Sequence, residues 1–352
     1  MSSTQSLSRA SVGEVDISGQ LDEVLGLPDH LRDALWRVQS AGLRPHDSPG
    51  GLVVAGMGAS AVGGSLARAV LGDRASRPIV LARGYELPAS TTPDTTVLCA
   101  SYSGNTEETL AVYEAAQALG AHAVVVTTGG KLAEQARGHG VPVIPLPAGF
   151  QSRAAVAYWI VVALEVAGLC GAGERLHAEV DVAAEHAASL AAAWGPDSAE
   201  DSLAKTLARG LHGTIPQISG SEVTAPVAYR WKTQINENAK SPAFASELPE
   251  MCHNELVGWE DARQLGQFSA VFLDDSDLHP RVRQRIELTR GLIASRGGAT
   301  FRIDSIGQTR LERLISLVLL GDLVSLYMAV LRGVDPSPVD ASESLKAALN
   351  GG

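Results

Sequence analysis

The stretch TTVLCASYSGNTEETLAVYEAA, residues 95–116, carries the reading of the fold. Val97, Leu98, Cys99 and Ala100 form a short apolar run that stops at Ser101, Ser103 and Thr106, set around Gly104. A helical pattern then opens with Glu107 and Glu108 and continues to Leu119. A brief apolar run that ends in turn residues and passes straight into a helix is the handover expected of a buried strand in a parallel sheet. The same alternation extends to either side. GLVVAGMGASAVGGSLARAVL (51–71) reads as strand, glycine turn and helix, and PIVLARGY (78–85) as a further strand. AHAVVVTT (121–128) and VPVIPLP (141–147) are the fourth and fifth strands, with a helix at Leu132–Ala136 between them. Strands alternating with helices imply βαβ units.

The pattern then restarts. An alanine-rich helical connector covers 151–204. Beyond it come strand GTIPQISGSE (213–222), helix TAPVAYRWKTQINENA (224–239), strand FSAVFLDD (268–275), helix PRVRQRIELTRGLIAS (280–295), strand ATFRIDS (299–305) and a long helix, Arg310–Leu331. VVAGMGAS (53–60) and PQISGSEV (216–223) both run strand, glycine, serine, helix, which points to a duplicated α/β unit. The division expected is a flexible N-terminus (1–20), a first domain (21–150), the connector (151–204), a second domain (205–332) and a tail (333–352) whose short helix carries Lys346.

Composition bounds the function. The 352 residues are 45% hydrophobic and 19% charged, which is globular and long enough for two domains, each with its own core. A net charge of -11, with no basic run, argues against nucleic acid as a partner. Cys99, Cys170 and Cys252 show no CxxC spacing, and the plain reading is structural thiols in a reducing cytoplasm. The apolar run Leu314–Leu331 contains Asp322 and is expected to be a buried helix, not a membrane span.

Three hydroxyls around a glycine at a helix N-terminus suit an anion. Unpaired backbone N–H groups there carry partial positive charge, and glycine lets the backbone come close. A phosphate is the natural occupant of Ser101, Ser103 and Thr106; the plainer alternative is that Ser103 or Thr106 caps the helix. GMGASAVGG (56–64) is a second glycine loop. Gly56, Gly58 and Ala61 loosely satisfy a dinucleotide fingerprint; the next strand ends on Arg83 where that fingerprint wants an acid, though an arginine there could meet a 2′-phosphate instead, which keeps a dinucleotide-dependent oxidoreductase as an alternative. Ser60 in this loop suits sugar hydroxyls or a second phosphate contact equally. Glu237 lies near a helix C-terminus, where the dipole disfavours a carboxylate, with His253 a short segment away. The two form a candidate acid/base pair, against the alternative of a surface acid paired with Lys240. The spacing lacks the second histidine of a zinc site.

Eight segments occur in the order seen in one family: GMGASAVGG, RGYELP, SYSGNTEET, GGKLAEQA, QSRAAVAY, APVAYRWKTQINENAKSPAF, HNELVGWE and PVDASESLK. In these the chain resembles the bifunctional phosphoglucose/phosphomannose isomerases of the sugar-isomerase-domain superfamily. The resemblance implies two such domains, each a five-stranded parallel sheet flanked by helices. It implies that Gly58, Ser60, Ser101, Ser103 and Thr106 bind the substrate, a hexose 6-phosphate, with the hydroxyls on its phosphate. Glu237 would move a proton between C2 and C1 through an enediol, and Arg153 would stabilise the charge on the enediolate. His253 would open the ring from across a homodimer interface, and Lys346 would help near the sugar. Taken without the family, Arg153 reads equally as a connector salt bridge, His253 as a satisfied loop histidine and Lys346 as a surface lysine. No metal and no cofactor is implied. Ala59, Ala61 and Ser65 depart from the family's usual glycine, glycine and acid, and the added methyls are expected to narrow the approach to the ligand. A non-catalytic phosphosugar sensor would keep the serine loop, but such sensors carry a basic DNA-binding domain, for which this chain has neither room nor charge.

Overall fold

A computed structural model describes residues 5–350. The first half runs α1 (Arg9–Gly13), α2 (Gln20–Leu25), α3 (Leu27–Ser40), β1 (Leu52–Gly56), α4 (Gly58–Leu71), β2 (Ile79–Ala82) and β3 (Thr96–Ala100). It closes with α5 (Glu107–Leu119), β4 (His122–Thr127), α6 (Gly130–Gly138) and β5 (Val143–Pro145). Helices α7 (Val156–Leu169), α8 (His177–Trp194) and α9 (Leu203–Leu211) lead to the second half. That half holds β6 (Ile215–Gly220), α10 (Ala225–Asn238), β7 (Phe244–Glu247), α11 (Ala262–Leu265) and β8 (Phe268–Asp274). It ends with α12 (Pro280–Ser295), β9 (Ala299–Asp304), α13 (Arg310–Arg332) and α14 (Asp340–Asn350).

The first sheet is parallel, in the order β2-β1-β3-β4-β5. Its strands are apolar on both faces, as helices on both sides require. Leu52, Val54, Leu98, Ala100, Val124 and Val126 point into one core, and Val53, Ala55, Val97, Cys99, Ala123 and Val125 into another under α5 and α6. The second sheet is also parallel, ordered β7-β6-β8-β9. Both sheets therefore begin with the same arrangement, a first strand flanked by the second and third, and the repeat expected from VVAGMGAS and PQISGSEV falls on β1 and β6.

Three expectations need correction. The second sheet has four strands rather than five. After β9 the chain turns directly into α13, whose apolar residues return it to the interior, and no strand follows among the described residues. Strand β7 had no alternating signal because it is a four-residue edge strand with Phe244 and Glu247 exposed. The halves also do not keep separate cores: one continuous cluster runs from Leu52 through α7 and α10 to Val330. Helices α7 and α13 are buried on nearly every side, so both halves close over them. The N-terminal segment is held as well: Leu7 and Val12 are buried, and Gln5 Nε2 donates to Val330 O at 3.0 Å.

One described helix, α13, is long and apolar enough to cross a membrane, but 94% of its apolar window is buried within the protein. Two glycines let the central helices meet. A Cβ on Gly63 of α4 would lie 2.0 Å from Trp159 Cβ of α7. A Cβ on Gly321 of α13 would lie 2.1 Å from Trp231 Nε1, which donates to Leu317 O at 2.8 Å. Gly63→Ala is expected to destabilise the fold by about 1–3 kcal/mol through overpacking, read as a lowered urea midpoint. An unchanged midpoint would mean that α4 and α7 separate without cost.

Candidate active site

In an open parallel sheet, ligands bind where neighbouring strands send their connections in opposite directions. In the first sheet that place lies between β1 and β3, and it brings the glycine loop and the serine loop together. Gly56 shows how close they come, since a Cβ there would stand 2.8 Å from Ala100 O. Gly58 begins α4 with φ +54°, in the left-handed region glycine favours. Ser60 is buried, and its Oγ donates to Met57 O at 2.8 Å.

The serine loop is built by its own hydroxyls. Buried Ser101 Oγ lies 2.8 Å from Thr106 Oγ1 and accepts from Gly104 N at 3.1 Å. Ser103, exposed, accepts from Asn105 N at 3.2 Å. Gly104 has φ +67°, and a Cβ there would fall 1.9 Å from Gly129 O in the loop after β4. Thr106 is the N-cap residue of α5, yet its side chain makes no capping hydrogen bond. The helix-cap alternative for the loop therefore fails at Thr106, and among the described residues no side chain accepts from the first N–H groups of α5.

The second sheet's corresponding place, between β6 and β8, is filled by the protein itself. Ser221 and Thr224 form a capping box. Asp274, the last residue of β8, and Asp275, both buried, lie there with Asp277 in the loop that follows. They pair with Arg283 at 3.3 Å, Arg302 at 2.9 Å, Arg310 at 3.1 Å and Arg313 at 3.0 Å. The cations and the turn N–H groups there are already taken by the protein's own carboxylates and capping box, whereas the first sheet's loops are left open.

Between the halves, Glu237 on the last turn of α10 meets Arg153 just ahead of α7. Glu237 Oε2 is 3.4 Å from Arg153 Nη1; the carboxylate side chain is 42% exposed and the guanidinium 4%. Arg153 Nε donates to Asn238 Oδ1 at 2.7 Å, and Nη2 donates to Pro336 O at 2.8 Å and Ser337 O at 3.1 Å. Burial lowers the Arg153 pKa from the ordinary arginine value, and Glu237 opposes the fall. Lys240, at φ +51°, donates to Glu237 O and, at 2.9 Å, to Pro336 O. It thus satisfies a helix-end carbonyl with a cation, while burial and then Arg153 lower its pKa. The surface pairing of Lys240 with the Glu237 carboxylate is replaced by a bond to the Glu237 backbone.

His253 ends a short 3-10 helix, Glu250–His253, and is exposed. Lys346 lies on α14, whose side chains from Ala341 to Leu349 are all exposed. Among the described residues, no hydrogen bond or ion pair joins either one to Glu237 or Arg153. Cys252 Sγ lies 3.6 Å from Thr289 Oγ1, seating the 3-10 helix on α12. Ala61 is buried and Ala59 packs against the core, so the protein itself houses their methyls. Ser65 Oγ donates to Ala61 O at 3.1 Å and accepts from Arg83.

Residues 200–349 match the family model of the bacterial phospho-glucose isomerase C-terminal SIS domain. A bifunctional phosphoglucose/phosphomannose isomerase of Caldicellulosiruptor bescii is 39% identical over 333 residues, covering 93% of this chain and 98% of that one. The chain belongs to the bifunctional phosphoglucose/phosphomannose isomerase family. An isomerase of the same name from Aquifex aeolicus is 34% identical over 89% of this chain and 94% of its own. In fold, this family member is similar to hypothetical protein TT0462 of Thermus thermophilus, with a TM-score of 0.72 and 15% identity over 95% of this chain and 91% of that one.

Four contributors to the Arg153 site escaped the sequence reading: Asn238, Arg230, Asp322 and the Pro336–Ser337 carbonyls. One signal was present. Asp322 interrupts an apolar run, and a carboxylate in a buried helix requires a cation; Arg230 supplies it at 2.7 Å.

Proposed function

We propose that this isomerase-family protein interconverts glucose 6-phosphate and mannose 6-phosphate with fructose 6-phosphate through an enediol. The observation that carries the reading is the half-exposed Glu237 carboxylate held 3.4 Å from a buried guanidinium. The substrate phosphate sits at the N-terminus of α5, on Ser101, Ser103 and Thr106, with Gly58 and Ser60 across the crevice. Glu237 takes the C2 proton of the open-chain aldose. The C–H electron pair forms the C1–C2 double bond, and negative charge moves to the carbonyl oxygen, where Arg153 stabilises it. Passage of the C2 hydroxyl proton to O1 and return of the abstracted proton to C1 then give the ketose, with the carbonyl at C2 and a hydroxyl at C1. Because C2 is planar in the enediol, proton delivery to C2 in the reverse direction can yield either epimer.

His253 opens the ring by moving a proton between the ring oxygen and the anomeric hydroxyl. Its exposure, without a hydrogen bond to its own chain's Glu237 or Arg153, fits delivery to the site of a second copy, so the working unit is a homodimer. Lys346 assists at the sugar. Cys99 and Cys170 are buried free thiols and Cys252 is a half-buried one, which fits a cytoplasmic protein.

Glu237→Gln keeps the side chain's shape but cannot accept the proton. Turnover of fructose 6-phosphate should fall by at least about 10²–10⁴-fold with binding retained. A variant keeping a tenth of wild-type activity would remove Glu237 from this role. Ser103→Ala should raise KM for the phosphorylated sugar roughly ten- to a hundredfold, the effect of a hydrogen bond to a charged group worth about 1.5–3 kcal/mol. Equal KM values would take Ser103 off the phosphate. Mixing Glu237→Gln with His253→Ala chains should restore activity, since each heterodimer holds one site with both residues intact. No recovery after confirmed subunit exchange would place the two residues in one chain's site or make His253 structural.

A further inference from the structure

Arg153 has more donors committed than free. Nε is taken by Asn238 at 2.7 Å, and Nη2 by the Pro336 and Ser337 carbonyls at 2.8 and 3.1 Å. Nη1 has only long contacts, 3.4 Å to Gln151 Oε1 and 3.4 Å to Glu237 Oε2. The loosely engaged edge of the fork is therefore the one beside the carboxylate. A guanidinium is planar, so fixing Nε and Nη2 fixes the direction of Nη1.

Proton accounting sets which way Asn238 faces. Asn238 is fully buried, and Ser325 Oγ, which it meets at 2.9 Å, already donates to Asp322 O at 2.7 Å. The Ser325 oxygen must then accept, so the Asn238 amide nitrogen points to it and to Gln234 Oε1 at 3.3 Å. That leaves the amide oxygen for Arg153. A second anchor holds the backbone: Arg230 Nη2 donates to Arg153 O at 2.9 Å while paired with Asp322. Burial raises the Asp322 carboxyl pKa against the pull of Arg230, and the pair restrains the Arg153 backbone through the Arg230 Nη2 bond to Arg153 O.

We propose that Asn238, oriented by Ser325 and Gln234, is a positioning residue that aims Arg153 so that Nη1 faces the oxygens on which charge develops. The role rests on the isomerase reading of Glu237 and Arg153. It makes Asn238 matter to the enediolate and not to the phosphate, which lies on the serine loop.

The test uses full-length Asn238→Asp. This near-isosteric change keeps an acceptor for Nε, removes the donor to Ser325 and Gln234, and sets a fixed negative charge against Arg153. With fructose 6-phosphate, kcat should fall about 10-fold or more, less than the roughly 10²–10³-fold cost of losing an oxyanion-stabilising donor outright because the guanidinium is re-aimed rather than removed, while KM changes little. A phosphorylated hydroxamate, which mimics the enediolate, should lose inhibition by a similar factor. A hexitol 6-phosphate, which shares the phosphate but carries no such charge, should bind as before. Unchanged hydroxamate inhibition, or equal losses for both inhibitors, would overturn the proposal. If Asn238→Asp does not fold, Ser325→Ala takes its place: a selective loss for the hydroxamate supports the role, and no selective loss overturns it. Wild-type protein and Glu237→Gln are assayed alongside. A wild type without isomerase activity overturns the functional reading itself, whereas an active wild type with an indifferent Asn238→Asp overturns this inference alone.

Discussion

A guanidinium that is 4% exposed must be given acceptors, and the middle of this protein is arranged to supply them to Arg153. An arginine stays charged when buried, so leaving its donors unpaired would cost several kcal/mol, about the penalty of stripping a charge of water without a partner. The acceptors come from the end of α10, from Gln151 ahead of α7 and from the backbone at Pro336 and Ser337. These segments lie far apart in the chain. Their meeting at one side chain ties the second half and the tail to the connector, and sets Glu237 beside a cation that solvent barely reaches.

The two halves repeat a topology but not a chemistry. At the first switch point, hydroxyls and uncapped helix N–H groups make a neutral cradle that an anion can enter. At the second, a capping box and three aspartates bound to arginines have already satisfied the same geometry. Similar backbones thus give one half the open glycine and serine loops and leave the other to supply α10, whose last turn carries the Glu237 carboxylate. The shared core around α7 and α13 holds the two contributions at a fixed spacing.

His253 and Lys346 stand apart from this arrangement, exposed and unattached to Glu237 or Arg153 among the described residues. Arg153 is held by buried hydrogen bonds, and the half-exposed Glu237 carboxylate lies beside it at 3.4 Å. Ring opening needs only a proton carrier at the other end of the sugar, which a second chain can bring. On the proposed reading, the guanidinium side of the site is buried and the ring-opening side exposed because the two steps make those different demands.

Much of this was legible in the sequence. Short apolar runs ending in glycine and serine declare parallel strands because a strand covered by helices on both faces has no polar side to show. Helix bounds such as Glu107–Leu119 and Pro280–Ser295 follow from local pattern and capping. Glu237 and Arg153 were marked by eight ordered segments. Local pattern could not show that the second sheet stops at four strands or that the halves share one core, since both depend on where α13 packs. Nor could it show Asn238 between Arg153 and Ser325. Those three residues are separated by 85 and 87 positions, and their partnership comes from burial: only the folded interior removes the water that would otherwise satisfy each of them separately.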